Sequence, residues 1–239
     1  IFYHHDGRWD RKPLHELHIP RSVEEALYRR SQQLSPAAYQ LLTLAAVAGR
    51  RFDFTLLQHL TNDGEAELVP RIKELIAAQF LVEEDAEHFA FRHALTRQAI
   101  YGRLLARERR QLHQRIGDLL LTQAPNAGEA PIAELAYHFS AGERWDAALT
   151  YARQAAEHAL RLHAPITALT QIGRALTASA RLGRAAAPDL LLLRGRAHAM
   201  LSEFDAAHTD LAAVLQEAST FADNRIAWEA LVALGDLWA

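Results

Sequence analysis

A mostly α-helical chain interrupted by one short β-hairpin is the fold the sequence predicts, and three observations predict it. Apolar residues recur at helical spacing over most of the 239 residues. Two short apolar runs, Phe80 to Val82 and Phe89 to Phe91, bracket the polar turn Glu83 to Glu87. Two blocks, WDAALTYARQAA at 145–156 and FDAAHTDLAAVL at 204–215, share an aromatic-Asp-Ala-Ala start, the signature of helical pairs stacked in an array.

Taken in order, residues 1–21 carry aromatics, turn residues and two prolines without helical periodicity. They read as a short extended piece and a linker from something upstream. His4, His5, His15 and His18 lie here, but no carboxylate or cysteine completes a ligand set at a familiar spacing, so no metal site is expected. From Ser22 the pattern turns helical. Ser22 and Glu25 make a capping box, and Ser35 followed by Pro36 is an N-cap with proline at the first helical position. The helix over 36–48 is apolar on most sides and belongs in a core, and Gly49 ends it. A short helix follows Asp53, Asp63-Gly64 turns, and a further helix runs from about Glu65 to Ile76 into the hairpin. Helices followed by a two-stranded hairpin is the order of a winged helix, placed with its helical extension over 22–125. After a loop at 123–130, helical periodicity resumes. Residues 129–239 then read as tetratricopeptide-like repeats: Leu191, Gly195 and His198 precede Ala207 and Leu211 at spacings resembling that consensus, and Leu234, Leu237 and Trp238 ask for a next repeat. The predicted fold is a winged-helix domain followed by an α-α solenoid.

Composition narrows the function. Half the residues are hydrophobic, so a core is available, and a net charge of −3 gives no field that would draw the whole chain onto nucleic acid or an anionic membrane. The absence of cysteine fits a reducing compartment, and no apolar run approaches the roughly 20 residues of a membrane span, so the cytoplasm is expected. Lysine appears only at Lys12 and Lys73, with arginine supplying every other basic residue; with the heavy alanine use this points to a GC-rich bacterial genome. Ile1 opens the chain and Met200 is its single methionine, so a segment of a longer protein is expected.

A winged helix reads DNA with the helix ahead of its hairpin. That helix offers Arg71 and Lys73 against Glu65, Glu67 and Glu74, and the turn adds Glu83, Glu84, Asp85 and Glu87, so direct DNA contact is not expected. The stretch after the hairpin has the opposite sign: Arg92, Arg97, Arg103, Arg107, Arg109, Arg110 and Arg115 against Glu108 alone. Most are expected to pair with the acidic hairpin; the alternative is a nucleic-acid-binding module over 92–115. His93 stands where a strand ends and a helix begins, a place from which an imidazole can reach a phosphate oxygen. Catalysis is not expected: Glu24-Glu25 and Glu83-Glu84 are adjacent and diverge, and no G-x-S-x-G elbow is present.

Four blocks within 19–120, IPRSVEEAL, LTLAAVAGRRFDFTLL, FAFRHALTRQAIY and ERRQLHQRIGDLL, resemble the region after the nucleotide-binding domain in signal-transduction ATPases with numerous domains, the STAND class, above all bacterial regulators carrying a predicted ATPase module. The third block is also similar to the Met-His-Asp block of that class, with His93 and Leu95 matching and Ala94 standing where those relatives have aspartate. The resemblance implies that His93, with Arg92 beside it, senses the phosphate of ADP held by an upstream nucleotide-binding domain and latches a closed state; Ala94 departs from the pattern. It implies signal relay, in a transcription regulator, with a protein, peptide or small inducer on the repeats; an inducer receptor is the third reading. ATP, ADP and magnesium would belong to the upstream domain. No glycine precedes a lysine, so this segment has no phosphate loop, and no apolar run ends in paired acids for magnesium. No cofactor of its own is expected.

Overall fold

The computed structural model describes residues 2–5, 8–11, 21–123, 131–221 and 224–236, and side chains over 25–123, 131–217 and 225–236. His15, His18, Leu237 and Trp238 lie outside the described residues, as do the side chains of His4, His5 and Ser22. The chain divides into two compact units, Ile1–Leu119 and Leu120–Ala239. It is mostly helical, with twelve helices among the described residues. None of them is long and apolar enough to cross a membrane.

The first unit opens on an antiparallel pair, β1 (Phe2–His5) and β2 (Arg8–Arg11). Helix α1 (Arg21–Ser31) follows, with Ser22 inside its first turn. Helix α2 (Pro36–Ala48) is the core element: Ala38, Leu41, Leu42, Ala45, Ala46 and Val47 are fully buried. Ser35 caps it by accepting from the Ala38 N–H at 3.2 Å. The same hydroxyl donates to Glu74 at 2.7 Å, and the Ser35 N–H donates to the other Glu74 oxygen at 2.6 Å. One carboxylate thus ties the start of α2 to α4 (Glu65–Ala77).

Between them lie β3 (Arg51–Asp53) and α3 (Phe54–Thr61), whose N-cap Asp53 accepts from Leu56 N–H at 2.6 Å. The hairpin strands are β4 (Leu81–Glu83) and β5 (His88–Phe91). The sheet differs from the expected two-stranded hairpin. Its order is β3-β5-β4, all antiparallel, with Phe52 opposite Phe89 and Val82 opposite Ala90. Phe52 drives the added pairing, stacking on Phe89 with centroids 6.5 Å apart and meeting Phe91 edge-on at 6.1 Å. The hairpin leads into α5 (Ala94–Arg103) and α6 (Ala106–Gln123).

The second unit contains α7 (Ile132–Ala141), α8 (Trp145–Arg161), α9 (Pro165–Arg181), α10 (Pro188–Met200), α11 (Phe204–Phe221) and α12 (Asn224–Asp236). Each packs on its neighbours in sequence, and α7 to α10 and α12 also meet the helix two places along. The turns share one device. Glu143, His163, Gly183 and Ser202 each take φ between 54° and 69°. The following N–H reaches back five residues: Arg144 to Phe139, Ala164 to Ala159, Arg184 to Ser179 and Glu203 to His198. These are Schellman closures, and three of the four use a residue other than glycine at the left-handed position. Helix α10 explains its own run of leucines. Leu190, Leu193 and Ala197 join an alanine-rich cluster with α8 and α9, while Leu191 and Leu192 join Leu211, Val214 and Ala230 of α11 and α12. A helix covered on two sides has to be apolar on both.

Candidate functional site at the exit of the central strand

β5 is the central strand, so its last residues are held from both sides. The Phe91 N–H donates to the Arg50 carbonyl at 2.9 Å, and the Arg92 N–H donates to the Phe80 carbonyl at 3.0 Å. One residue later the chain leaves the sheet. His93 is the N-cap of α5, with extended backbone at φ −135° and ψ 133°. Its carbonyl accepts from the Thr96 N–H at 3.0 Å, but its side chain makes no capping bond. The imidazole is exposed and, among the described residues, has no hydrogen-bond or ion-pair partner, in contrast to Asp53 and Ser35 at the starts of α3 and α2. The ring is thus held by a rigid backbone and left available to whatever stands outside.

Arg92 is also exposed. The third strand adds a residue that sequence reasoning missed: Arg50, exposed, leaves the sheet beside Phe91 and Arg92 at the same end. Its signal was the triplet Gly49-Arg50-Arg51 ahead of Phe52. Gly49 takes φ 156°, and a Cβ there would lie 3.2 Å from the Arg51 carbonyl oxygen, so the chain turns sharply out of α2 and lays its arginines along the strand. Ala94, at the first position of α5, places a methyl where an aspartate would complement the positive helix end.

Behind the junction, α5 is anchored to the core. Arg97 Nε donates to the Ala46 carbonyl at 2.9 Å, near the end of α2. Its guanidinium lies over the Tyr101 ring at 5.6 Å, and that of Arg109 lies over the same ring at 5.3 Å. The Tyr101 hydroxyl and His113 Nε2 are 3.0 Å apart, with His113 completely buried. Burial, then the Arg97 and Arg109 charges, push the His113 pKa down from 6.5 to about 4. His113 is therefore a neutral structural imidazole, and His93 is the exposed one.

The expected pairing of the arginines with the acidic hairpin is not what the side chains do. Glu84 pairs with Arg51 at 2.5 Å, and Asp85 accepts from His88 and from the turn's own N–H groups. Arg103 lies over Tyr28 at 3.8 Å, and Arg92, Arg107 and Arg115 are exposed without an ion pair among the described residues. The strand geometry is the reason: β4 and β5 aim the turn at β3. Arg71, one of two cations on α4, pairs with Asp63. No group of three or more His, Asp or Glu side chains is placed to hold a metal among the described residues.

No protein-family model, no curated protein and no solved structure matches the chain.

Proposed function

We propose that this chain is the relay segment of a STAND-type nucleotide switch in a bacterial transcription regulator, with a winged-helix first unit and tetratricopeptide-like repeats in the second. The observation that carries the reading is His93: an exposed imidazole, fixed by the exit of a central strand and uncommitted to capping its own helix. A histidine so placed donates readily to a phosphate oxygen presented from outside, with Arg92 and Arg50 supplying positive charge at the same end of the sheet. The coupling to the rest of the unit is the Arg97 bond to α2, so tilting α5 at its start strains a core contact. The second unit would take a protein, peptide or small inducer, and ATP, ADP and magnesium would sit on an upstream domain of the same chain.

The test is release of a fluorescent ADP from the intact protein. His93→Ala is expected to speed release roughly tenfold, the scale of one lost charge-assisted hydrogen bond. Release at the unaltered rate sinks the reading. A second reading, nucleic-acid binding through the 92–115 arginines, is favoured by the exposed Arg92, Arg107 and Arg115 that the hairpin leaves unneutralised.

A further inference from the structure

We infer that a cleft between α7, α8 and α9 binds a compact, largely apolar, uncharged molecule carrying a carbonyl oxygen. The cleft has a volume of about 410 Å3, within the ordinary range of small-molecule sites. Its walls are short side chains, Ala155 and Ala159 of α8 among them, with Ile132 at the start of α7 and Leu162 at the end of α8. Ala155 and Ala159 belong to the core cluster, so the space exists because alanine stands where a larger residue would fill it.

Of the polar residues that line the cleft, Glu134 and Thr167 are exposed and His158 is half-buried, whereas Gln171 of α9 is 5% exposed. Its orientation follows from its partner. Arg174 Nη1 donates to the Gln171 side-chain oxygen at 2.8 Å, and a guanidinium has only donors, so the atom it reaches must be oxygen. Arg174 is itself packed over the Tyr137 ring at 5.6 Å. With its oxygen committed to Arg174, the –NH2 is the part of the Gln171 amide left for the cleft that Gln171 lines together with Thr167 and Ala164. Among the described residues that –NH2 has no hydrogen-bond partner, yet it is not sealed from solvent-accessible space. A nearly buried amide with its acceptor occupied and its donors unpaired, lining a mostly apolar cleft, is a recognition group for a carbonyl oxygen. The Glu134 carboxylate on the rim disfavours an anionic ligand relative to an uncharged one.

The proposal rests on the second unit being the input arm, and it names the chemistry of the input. The probe is benzamide, titrated into the chain and followed by 15N and methyl NMR. The Gln171 side-chain –NH2 signals, identified by their loss in Gln171→Leu, and the Ala155 and Ala159 methyls are expected to shift saturably. Gln171→Leu is expected to weaken benzamide about tenfold, as for one lost hydrogen bond, and to leave toluene binding unchanged. Ala159→Leu fills the cleft and is expected to abolish the shifts; should it not fold, Thr167→Leu on the exposed rim serves instead and is expected to weaken binding. Shifts that map elsewhere, benzoate binding as tightly as benzamide, or full binding by Gln171→Leu would overturn the assignment. Such a failure leaves the nucleotide reading intact, because the ADP-release measurement on His93→Ala does not involve this cleft.

Discussion

Burying an imidazole between two guanidinium groups makes His113 sensitive to pH in a direction that can be worked out. In the unfolded chain it titrates near its ordinary value of 6.5, and in the folded chain at about 4. Between those values only the unfolded state takes up the proton. Its contribution to stability is therefore complete above pH ~6.5 and is lost as the pH falls toward 4, by on the order of 3 kcal/mol. Urea midpoints measured from pH 7 to 4.5 should fall, and His113→Gln, which has no proton to take up, should flatten that part of the profile. The two histidines show what can be read residue by residue. The place of His93 between strand and helix was legible because it is a local property of the chain. His113 was legible only as a member of the block ERRQLHQRIGDLL, since its burial depends on Tyr101, Arg97 and Arg109 closing over it.

At the scale of the element, α10 and α11 are joined by a close approach and by a buried carboxylate held by a half-buried arginine. A Cβ on Gly195 would stand 2.8 Å from Leu211 Cγ and 3.4 Å from the Ala207 carbonyl oxygen, and Leu211 is fully buried and unable to yield. Gly195→Ala should cost about 1–3 kcal/mol. Gly173, exposed in the middle of α9, has nothing within 4 Å of the same position, so Gly173→Ala should raise stability by about 0.5–1 kcal/mol. Thermal melts of the two variants should move in opposite directions. Asp210 of α11 is 5% exposed and is held by Arg194 of α10 at 2.8 and 2.6 Å. Arg194→Leu would strand that carboxylate at a cost of about 2–3 kcal/mol, whereas Arg153→Leu, which frees the more exposed Asp189, should cost less than about 1 kcal/mol. Chemical denaturation of both variants checks the contrast. The small residue at 195 was visible in the sequence as part of a repeat spacing; the Asp210 pair was not, because sixteen residues and a turn separate the partners.

For the whole molecule, charge arrangement bears on the two readings of the arginine stretch. The net charge is −3, α4 is acidic with Arg71 engaged by Asp63, and Arg103, Arg107, Arg110 and Arg115 of α5 and α6 are exposed. Binding to duplex DNA should therefore be absent near 0.15 M salt. A measurable affinity with a steep salt slope would favour the nucleic-acid reading instead. The mostly helical class, the order of helices in the first unit and the hairpin between Leu81 and Phe91 were determined by the sequence alone, because caps, turns and periodicity act within a few residues of one another. Only the tertiary structure decided that β3 joins the sheet, that Glu84 takes Arg51 in place of an arginine beyond the hairpin, and that Gln171 is buried with its oxygen held by Arg174. Three-residue β3 has too little pattern to announce itself, and each of these partnerships is a competition among distant groups that is settled when the backbone brings some within reach and leaves others outside it.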